Sequence, residues 1–363
     1  MNHGPAAEHA GEVKRSPGLL PGVGAWAPLV ALYRTLWRLE RGFFRSFPFL
    51  VHRCRAPVVS VGNLSMGGTG KTPVLFALLH ELTGMGASRL AVLTRGYRSR
   101  YERSCLILPA AGYLPEGLTD ETVLLRRRFP HVAIGVGKNR AHAARLLESL
   151  VAPELILLDD GFQYRRLRRD IDLVCIDITR PPAVDRLLPA GRLREPVERL
   201  REASALLLTR AEQVAPAAVA EVEEWLAAIA PAVPRVVLET QPVGWVDGVG
   251  AEGKAPSRCF AFAAIGHPEA FSRQLVALGA QVIGERWFRD HHRFSAGDLE
   301  AVAAAATQCD ATLVCTEKDL VKLPVAWAQQ HRLRALVIAM QPRGGGSLVA
   351  ALARGGVKFP VGR

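Results

Sequence analysis

Glycines followed by a lysine and a threonine can hold a phosphate and its metal ion, and such a set stands at Pro57–Pro73, PVVSVGNLSMGGTGKTP. Val58, Val59 and Val61 are β-branched and apolar, so the stretch opens as a buried strand. Gly67, Gly68 and Gly70 can take the positive φ of a tight loop, and around Thr69 they let backbone N–H groups approach a ligand closely. Lys71 and Thr72 then open an apolar helix through Leu75, Leu78, Leu79 and Leu82. This is the mechanical arrangement of a phosphate loop. Amides and a helix N-terminus cradle phosphates, Lys71 reaches the β/γ oxygens, and the Thr72 hydroxyl ligates Mg²⁺. The strict pattern wants a glycine where Ser65 stands. A chance glycine-rich turn is the competing reading, and the strand before and the helix after weigh against it.

Further charged residues fall where such chemistry would need them. Glu154–Asp160, ELILLDD, is an apolar strand ending in two carboxylates. In phosphate-loop enzymes an acid at that place holds Mg²⁺, directly or through water. Neighbouring side chains on a strand point opposite ways, so one of Asp159 and Asp160 faces the site and the other braces it. Thr94–Arg98 (TRGYR), Lys138 with Arg140, and Arg192, Arg194 and Glu195 of Pro189–Pro196 (PAGRLREP) leave strands or loops at the carboxyl edge, where ligands bind in open α/β sheets. Converging basic residues there would neutralise phosphates, although a single arginine is more often a solvated surface group. Asp290–Phe294 (DHHRF) reads locally as surface or a helix cap, and Thr316–Asp319 (TEKD) as helix capping.

The surrounding elements read as an α/β fold, a phosphate-loop NTPase-like, mostly parallel sheet with helices on both faces. Strand candidates are Pro57–Val61, Leu90–Thr94, Val132–Val136, Leu155–Leu158, Leu173–Ile176 and Ala205–Thr209, with helices at Val74–Leu82 and Arg140–Leu150. A second series follows in Cys259–Ile265, Pro268–Leu278, Gln281–Gly284, Ala296–Thr307, Ala311–Cys315 and Ala335–Ala339. The expected organisation is a disordered 1–26, an amphipathic helix over 27–50, a phosphate-loop core over 51–235, a linker or β-hairpin over 236–258, and a smaller C-terminal α/β domain over 259–363. In the 27–50 segment, Leu29, Leu32, Tyr33, Leu36 and Trp37 recur at helical spacing beside a stripe of Arg34, Arg38, Arg41 and Arg45. Those arginines prevent a bilayer span, and the pattern suits either a helix lying in a membrane interface or one packed on the core.

The 363 residues leave room for two domains, and a hydrophobic fraction of 49% with 22% charged is that of a globular chain with a sizeable core. A formal charge of +12 asks for an acidic partner: nucleic acid, an anionic membrane surface or a phosphorylated substrate. Nucleic acid is disfavoured, because the basic residues are scattered and no reading motif is found. Six cysteines without a CxxC pair fit reduced core thiols better than disulfides or a zinc site. No N–K–x–D sequence is present to read guanine, which weighs against a membrane-bound nucleotide switch.

The ordered set VGNLSMGGTGKTP, TRGYR, TDE at Thr119–Glu121, DDGFQ at Asp159–Gln163, LPAGRLREP, DHHRF and TEKD resembles the tetraacyldisaccharide 4′-kinase family over about residues 30–325. That resemblance implies ATP- and Mg²⁺-dependent phosphorylation of the 4′-hydroxyl of a lipid A disaccharide precursor. The alternative within the same class is a phosphate-loop kinase of a soluble small molecule. By match, Lys71 and Thr72 would bind ATP and Mg²⁺, Asp159, Asp160 and Glu195 would belong to the metal site, and Arg140 and Arg194 would lie near the phosphates. Asp120 would act with His291 as a base for the sugar hydroxyl. The N-terminal helix would dock peripherally on the cytoplasmic face of the inner membrane, against anionic lipids. Two positions depart from the family's pattern. The family's GDEP stands here as TDET, without its glycine and proline, and Tyr164 follows DDGFQ where histidine is usual.

Overall fold

The central strands are apolar along most of their length because both faces of the sheet are covered there. The computed structural model describes residues 23–266, 268–290 and 292–360. Its strands are β1 (Val58–Asn63), β2 (Leu90–Thr94), β3 (Leu106–Leu108), β4 (Ala133–Val136), β5 (Leu155–Asp159), β6 (Ile171–Asp177), β7 (Ala205–Thr209), β8 (Arg235–Asp247), β9 (Arg258–Ala263), β10 (Gln281–Trp287), β11 (Thr312–Thr316) and β12 (Arg334–Pro342). The helices are α1 (Val23–Ser46), α2 (Lys71–Gly84), α3 (Asp120–Arg128), α4 (Arg140–Leu150), α5 (Pro216–Ile229), α6 (Pro268–Ala277), α7 (Ala296–Gln308), α8 (Glu317–Leu320), α9 (Val325–Gln330) and α10 (Leu348–Arg354). Alternate residues divide between the faces. Val59, Val61, Leu157 and Leu173 join the core under α2, α3 and α10, while Val58, Ile156 and Leu158 pack on α4. Val174, Ile176, Leu206 and Leu208 pack on α5. This period-two division is why the sequence shows continuous apolar runs rather than alternation.

One twelve-stranded sheet runs in the order β10-β9-β11-β12-β8-β7-β6-β1-β5-β2-β4-β3. The mostly parallel α/β architecture and all the strands read from sequence are present. The expected linker over 236–258 is not. Most of it is β8, whose first residues pair parallel with β7 and whose remainder pairs antiparallel with β12, from Leu238↔Pro342 to Asp247↔Arg334. Partial exposure of most β8 side chains, together with Pro242 and Gly244, hid the strand, and Val243 is the extra residue of a bulge that accommodates the proline. A turn beyond β8 returns to it through the Val246↔Glu252 bridge. The short antiparallel edge strand β3 also escaped the sequence reading, because three residues carry no periodicity. Residues 1–22, on which most of the disorder expectation falls, lie outside the described residues, and 23–26 are already helical.

Nor does the C-terminal division at 259 hold to the chain's end. Met340, Leu348, Val349, Leu352 and Val357 join the core under α2. Glu81 of α2 accepts hydrogen bonds from the first amides of α10, Leu348 at 2.7 Å and Val349 at 2.8 Å, and from the Ser347 hydroxyl. A carboxylate at a helix N-terminus meets unpaired N–H groups and the positive end of the dipole.

Replacing Glu81 with alanine should therefore cost about 1–2 kcal/mol of stability. Urea unfolding would register the loss, and hydrogen exchange should speed up first across Leu348–Leu352. Unchanged exchange there would mean that α10 is held by its apolar contacts alone.

Candidate functional site

β1 delivers the glycine loop to the carboxyl edge of the sheet. Gly70, at φ +81°, is the residue before α2, and a Cβ on it would stand 3.2 Å from the Thr209 side chain. Gly67 takes φ +107° with open space where a side chain would be. Two residues from the end of β7 tie the loop down. Thr209 Oγ1 donates to the Thr69 carbonyl at 2.9 Å, and Arg210 donates to the Gly68 carbonyl at 2.8 Å and to Asp177 at 2.6 Å. Ser65, which breaks the strict motif, sits in an antiparallel bridge with Leu193, flanked by Met66 N–H to Arg192 O and Arg194 N–H to Leu64 O, each 2.8 Å. Extended backbone needs no glycine, so serine is tolerated there.

The two aspartates are set apart by their surroundings. Asp160, at φ +49°, turns out of β5. Both of its oxygens accept from Arg194, at 2.9 Å each, and Lys71 Nζ lies 3.5 Å away. Burial opposes its charge, but the Arg194 hydrogen bonds and the charges of Lys71, Arg194 and Arg140 outweigh it and hold the carboxyl well below the usual range. Asp159 ends β5 and accepts from Thr94 Oγ1 at 3.2 Å. Burial pushes its pKa up to about 6, and Asp160 and Glu121 add to the shift against Lys71 and the Thr94 hydrogen bond. Asp159, Thr72, Thr94, Glu121 and Thr122 line one narrow crevice. These donors are all oxygens, and Asp159 forms no ion pair among the described residues, so the site fits a hard divalent ion such as Mg²⁺.

Arg140 opens α4, is buried, and stacks its guanidinium 4.1 Å from the Tyr164 ring centre. Its charge is felt by Asp160. The Tyr164 hydroxyl accepts from the Ala141 amide at 3.1 Å, so the residue that replaces the usual histidine secures the arginine and the start of α4. Glu195 is placed differently from Arg194. Its carboxylate faces Arg165 at 2.9 Å, Arg199 at 3.5 Å and the Trp37 indole N–H at 3.0 Å, and it forms no metal-binding group with Asp159 and Asp160. Those cations already answer its charge, and its observed contacts fasten α1 to the core.

The second half of the chain meets the site through α3. Thr119 caps this helix by accepting the Thr122 amide at 3.3 Å, which puts Asp120 and Glu121 in the first turn, where the dipole favours carboxylates. The altered TDET motif is therefore a helix start. At the other end of α3, Arg128 pairs with Glu317 through Nε at 2.9 Å and reaches the Ile338 carbonyl at 3.1 Å. Buried Lys322 stands 3.9 Å from Asp120 and 2.7 Å from Asp319, while Lys318 stands 4.0 Å from Glu121 and 3.5 Å from Asp290. Thr316 does cap α8, as its local pattern suggests, and the same turn carries Lys318. Lys318 and Lys322 were not singled out from sequence, although the TEKD motif marks the place. His291 lies outside the described residues. His292 pairs with Asp298 at 3.0 Å and stacks on Phe288.

The family model for tetraacyldisaccharide-1-P 4′-kinase matches residues 25–354. A tetraacyldisaccharide 4′-kinase from Anaeromyxobacter dehalogenans is 40% identical over 358 residues, covering 94% of this chain and 93% of the relative. One from Chlorobium limicola is 34% identical over 306 residues, covering 82% and 85%. Among solved structures, LpxK from Aquifex aeolicus in complex with ATP superposes with a TM-score of 0.72 at 27% identity, covering 92% of this chain and 98% of that one.

Because its folded pKa is raised to about 6, ionised Asp159 weakens the metal-free fold. That contribution to stability should improve as pH falls through about 6 toward the ordinary aspartate value of about 4. A cation favours the ionised form, so protons and Mg²⁺ compete for the site. Thermal unfolding should show Mg²⁺ stabilising the protein above about pH 6 and progressively less below it. Asp159→Asn should raise the metal-free midpoint near pH 7 and abolish the Mg²⁺ response. An undiminished Mg²⁺ response in the variant would exclude Asp159 as a ligand.

Proposed function

The chain belongs to the tetraacyldisaccharide-1-P 4′-kinase family, and from that premise we propose how its residues move a phosphoryl group from ATP to the 4′-hydroxyl of a lipid A disaccharide precursor. The observation that carries the reading is the convergence at one sheet edge of Lys71, Asp159, Asp160, Arg140 and Arg194, with Asp120 held opposite by the second half of the chain. The amides of 67–72 bind the β- and γ-phosphates, and Lys71 exchanges Asp160 for a phosphate oxygen when ATP enters. Thr72 and Asp159 would hold Mg²⁺, which would supply charge neutralisation on the triphosphate. Arg194 keeps Asp160 ionised, and Arg140 adds positive potential beside both carboxylates. Charge neutralisation and positioning of this kind supply most of the catalysis of phosphoryl transfer.

Asp120 is the base for the acceptor hydroxyl, in concert with His291. Free aspartate is weakly basic, and sharing the proton with an imidazole makes the pair effective near neutral pH. The reading is supported by Asp290, which reaches toward α3 through Lys318.

The acceptor's acyl chains belong in a bilayer, and α1 suits a peripheral seat on it. Trp26, Leu29, Leu32, Leu36, Leu39, Phe43 and Phe47 are exposed along one stripe. The opposite face is fastened to the kinase core through Tyr33 to the Arg194 carbonyl at 2.8 Å, Trp37 to Glu195, Arg34 to Glu198 and Arg41 to Glu202. Tyr33 and Trp37 thus leave the apolar stripe they share in the sequence pattern, and two of the four stripe arginines are paired with the protein. No helix among the described residues is long and apolar enough to cross a membrane.

Purified protein with labelled ATP and tetraacyldisaccharide 1-phosphate should yield the bisphosphorylated product. Lys71→Ala should abolish that turnover in a folded protein. Asp120→Ala and His291→Ala should each lower kcat by about 10²-fold or more, with the double variant little worse than either, because residues acting as one unit are non-additive. Losses that multiply would separate the two residues.

The membrane seat is tested by replacing Leu32, Leu36 and Leu39 with serine, since these side chains hold nothing in the core. Vesicle binding should fall by at least about tenfold, as each leucine forfeits on the order of 1 kcal/mol or more of apolar burial. The apparent KM for lipid should rise while ATP affinity stays unchanged. Parental binding by this variant would reduce α1 to a packed surface helix.

A further inference from the structure

Beneath the C-terminal half of α1 lies an open depression of about 270 Å³ lined by Arg41, Arg45, Arg165, Arg168, Arg169 and Arg199, with Glu202 the one acid in its lining. Ion pairs answer only part of this charge. Arg41 and Arg199 share Glu202, Arg165 and Arg199 share Glu195, Arg165 also has Glu40, and Arg169 has Asp172. Arg45 and Arg168 form no ion pair among the described residues. The Nε atoms of Arg165 and Arg199 make no hydrogen bond and meet carboxylates only at ion-pair distance, Glu40 at 3.6 Å and Glu195 at 3.5 Å. Burial pushes the Arg199 pKa down to about 10, and that of Arg41 is lowered by burial and then by Arg45 and Arg165. A depression lined by crowded guanidiniums suits an anion with several acceptor oxygens, and arginine's planar fork matches phosphate.

The pocket's position narrows the source. Phe44 of α1 also lines it, and the exposed Leu39, Phe43 and Phe47 run alongside. Arg41 lies eight residues beyond Tyr33, about 12 Å further along the helix, and Tyr33 is what touches the Arg194 carbonyl. Leu167 in the pocket wall packs on the face of the sheet opposite to the one that carries Leu125 of α3. An acceptor sugar held at Asp120 is thus on the other face from the pocket, and the occupant is a separate molecule.

We propose that this pocket binds the phosphate of an anionic phospholipid headgroup, so that a specific lipid contact joins the apolar stripe of α1 in seating the enzyme on the bilayer. The proposal rests on the reading that α1 lies on a membrane. Full-length protein would be compared with an Arg45→Gln/Arg168→Gln pair and with an Arg38→Gln/Arg53→Gln control of equal charge, all four positions being exposed. Sedimentation with phosphatidylcholine vesicles, with and without phosphatidylglycerol, should show the pocket pair losing at least about tenfold more affinity for the anionic vesicles than the control loses. Calorimetry with a soluble short-chain phosphatidylglycerol, no bilayer present, should give binding to the parent and none to the pocket pair. Equal losses in the two pairs, or no binding of the soluble lipid, would overturn the pocket and leave the membrane reading of α1 standing. A parent that binds no vesicle at all would remove both. If the pocket pair raised KM for the acceptor in neutral detergent micelles, the pocket would belong to the acceptor's own phosphate and the phospholipid assignment would fall.

Discussion

Two adjacent carboxylates at the end of a buried parallel strand cannot both ionise without nearby positive charge, and most of the site follows from how that charge is supplied. Asp159 and Asp160 end β5 beside each other. Arg194 arrives from a loop that pairs backbone-to-backbone with the glycine loop, Lys71 from the first residue of α2, and Arg140 from the first residue of α4. Arg194 and Lys71 both favour Asp160, so Asp160 is held ionised while Asp159 carries the cost of burial. The asymmetry leaves one carboxylate short of a cation in a crevice lined with hydroxyls, which is the electrostatic condition for taking up a divalent ion.

A second constraint is the long β8–β12 pair. Because β8 is shared between β7 and β12, the two parallel halves become one sheet whose direction reverses at that seam. The reversal lets the carboxyl end of β11 bring α8 onto α3, where Arg128 and Glu317 lock the halves together. Lys322 then stands beside Asp120 and Lys318 beside Glu121. With α10 fastened back on α2, the second half is bound at two places, so the separation between Asp120 and the glycine loop is set by packed elements and not by a linker.

The third anchor is α1. Besides Glu40 to Arg165, its polar contacts with the core end on Arg194, Glu195, Glu198 and Glu202, a run of residues that begins with the cation holding Asp160. The helix and the edge that carries Asp160 are therefore joined by a few covalent bonds, which gives α1 a direct mechanical link to the glycine-loop side of the site.

The sequence by itself determined the α/β class, the glycine loop and most of the strands, because strands covered on both faces must be apolar throughout and glycines with a lysine and threonine at a strand–helix junction have few other uses. Ordered motifs also located the elements that carry Asp120, Asp159, Asp160, Arg140 and Arg194. Other features depended on contacts that no local pattern encodes. Whether Asp159 or Asp160 is clamped is settled by Arg194, 34 residues beyond Asp160. Glu195 turned toward α1 because Arg165, Arg199 and Trp37 converge there. Half-exposed β8 and its proline gave no strand signal, since its order comes from pairing with β12, some hundred residues later. Tyr164 could be judged only once its ring was seen under Arg140. Residue types and spacing report what a segment buries and what it can bind, whereas the partner that completes each charge is chosen by tertiary packing.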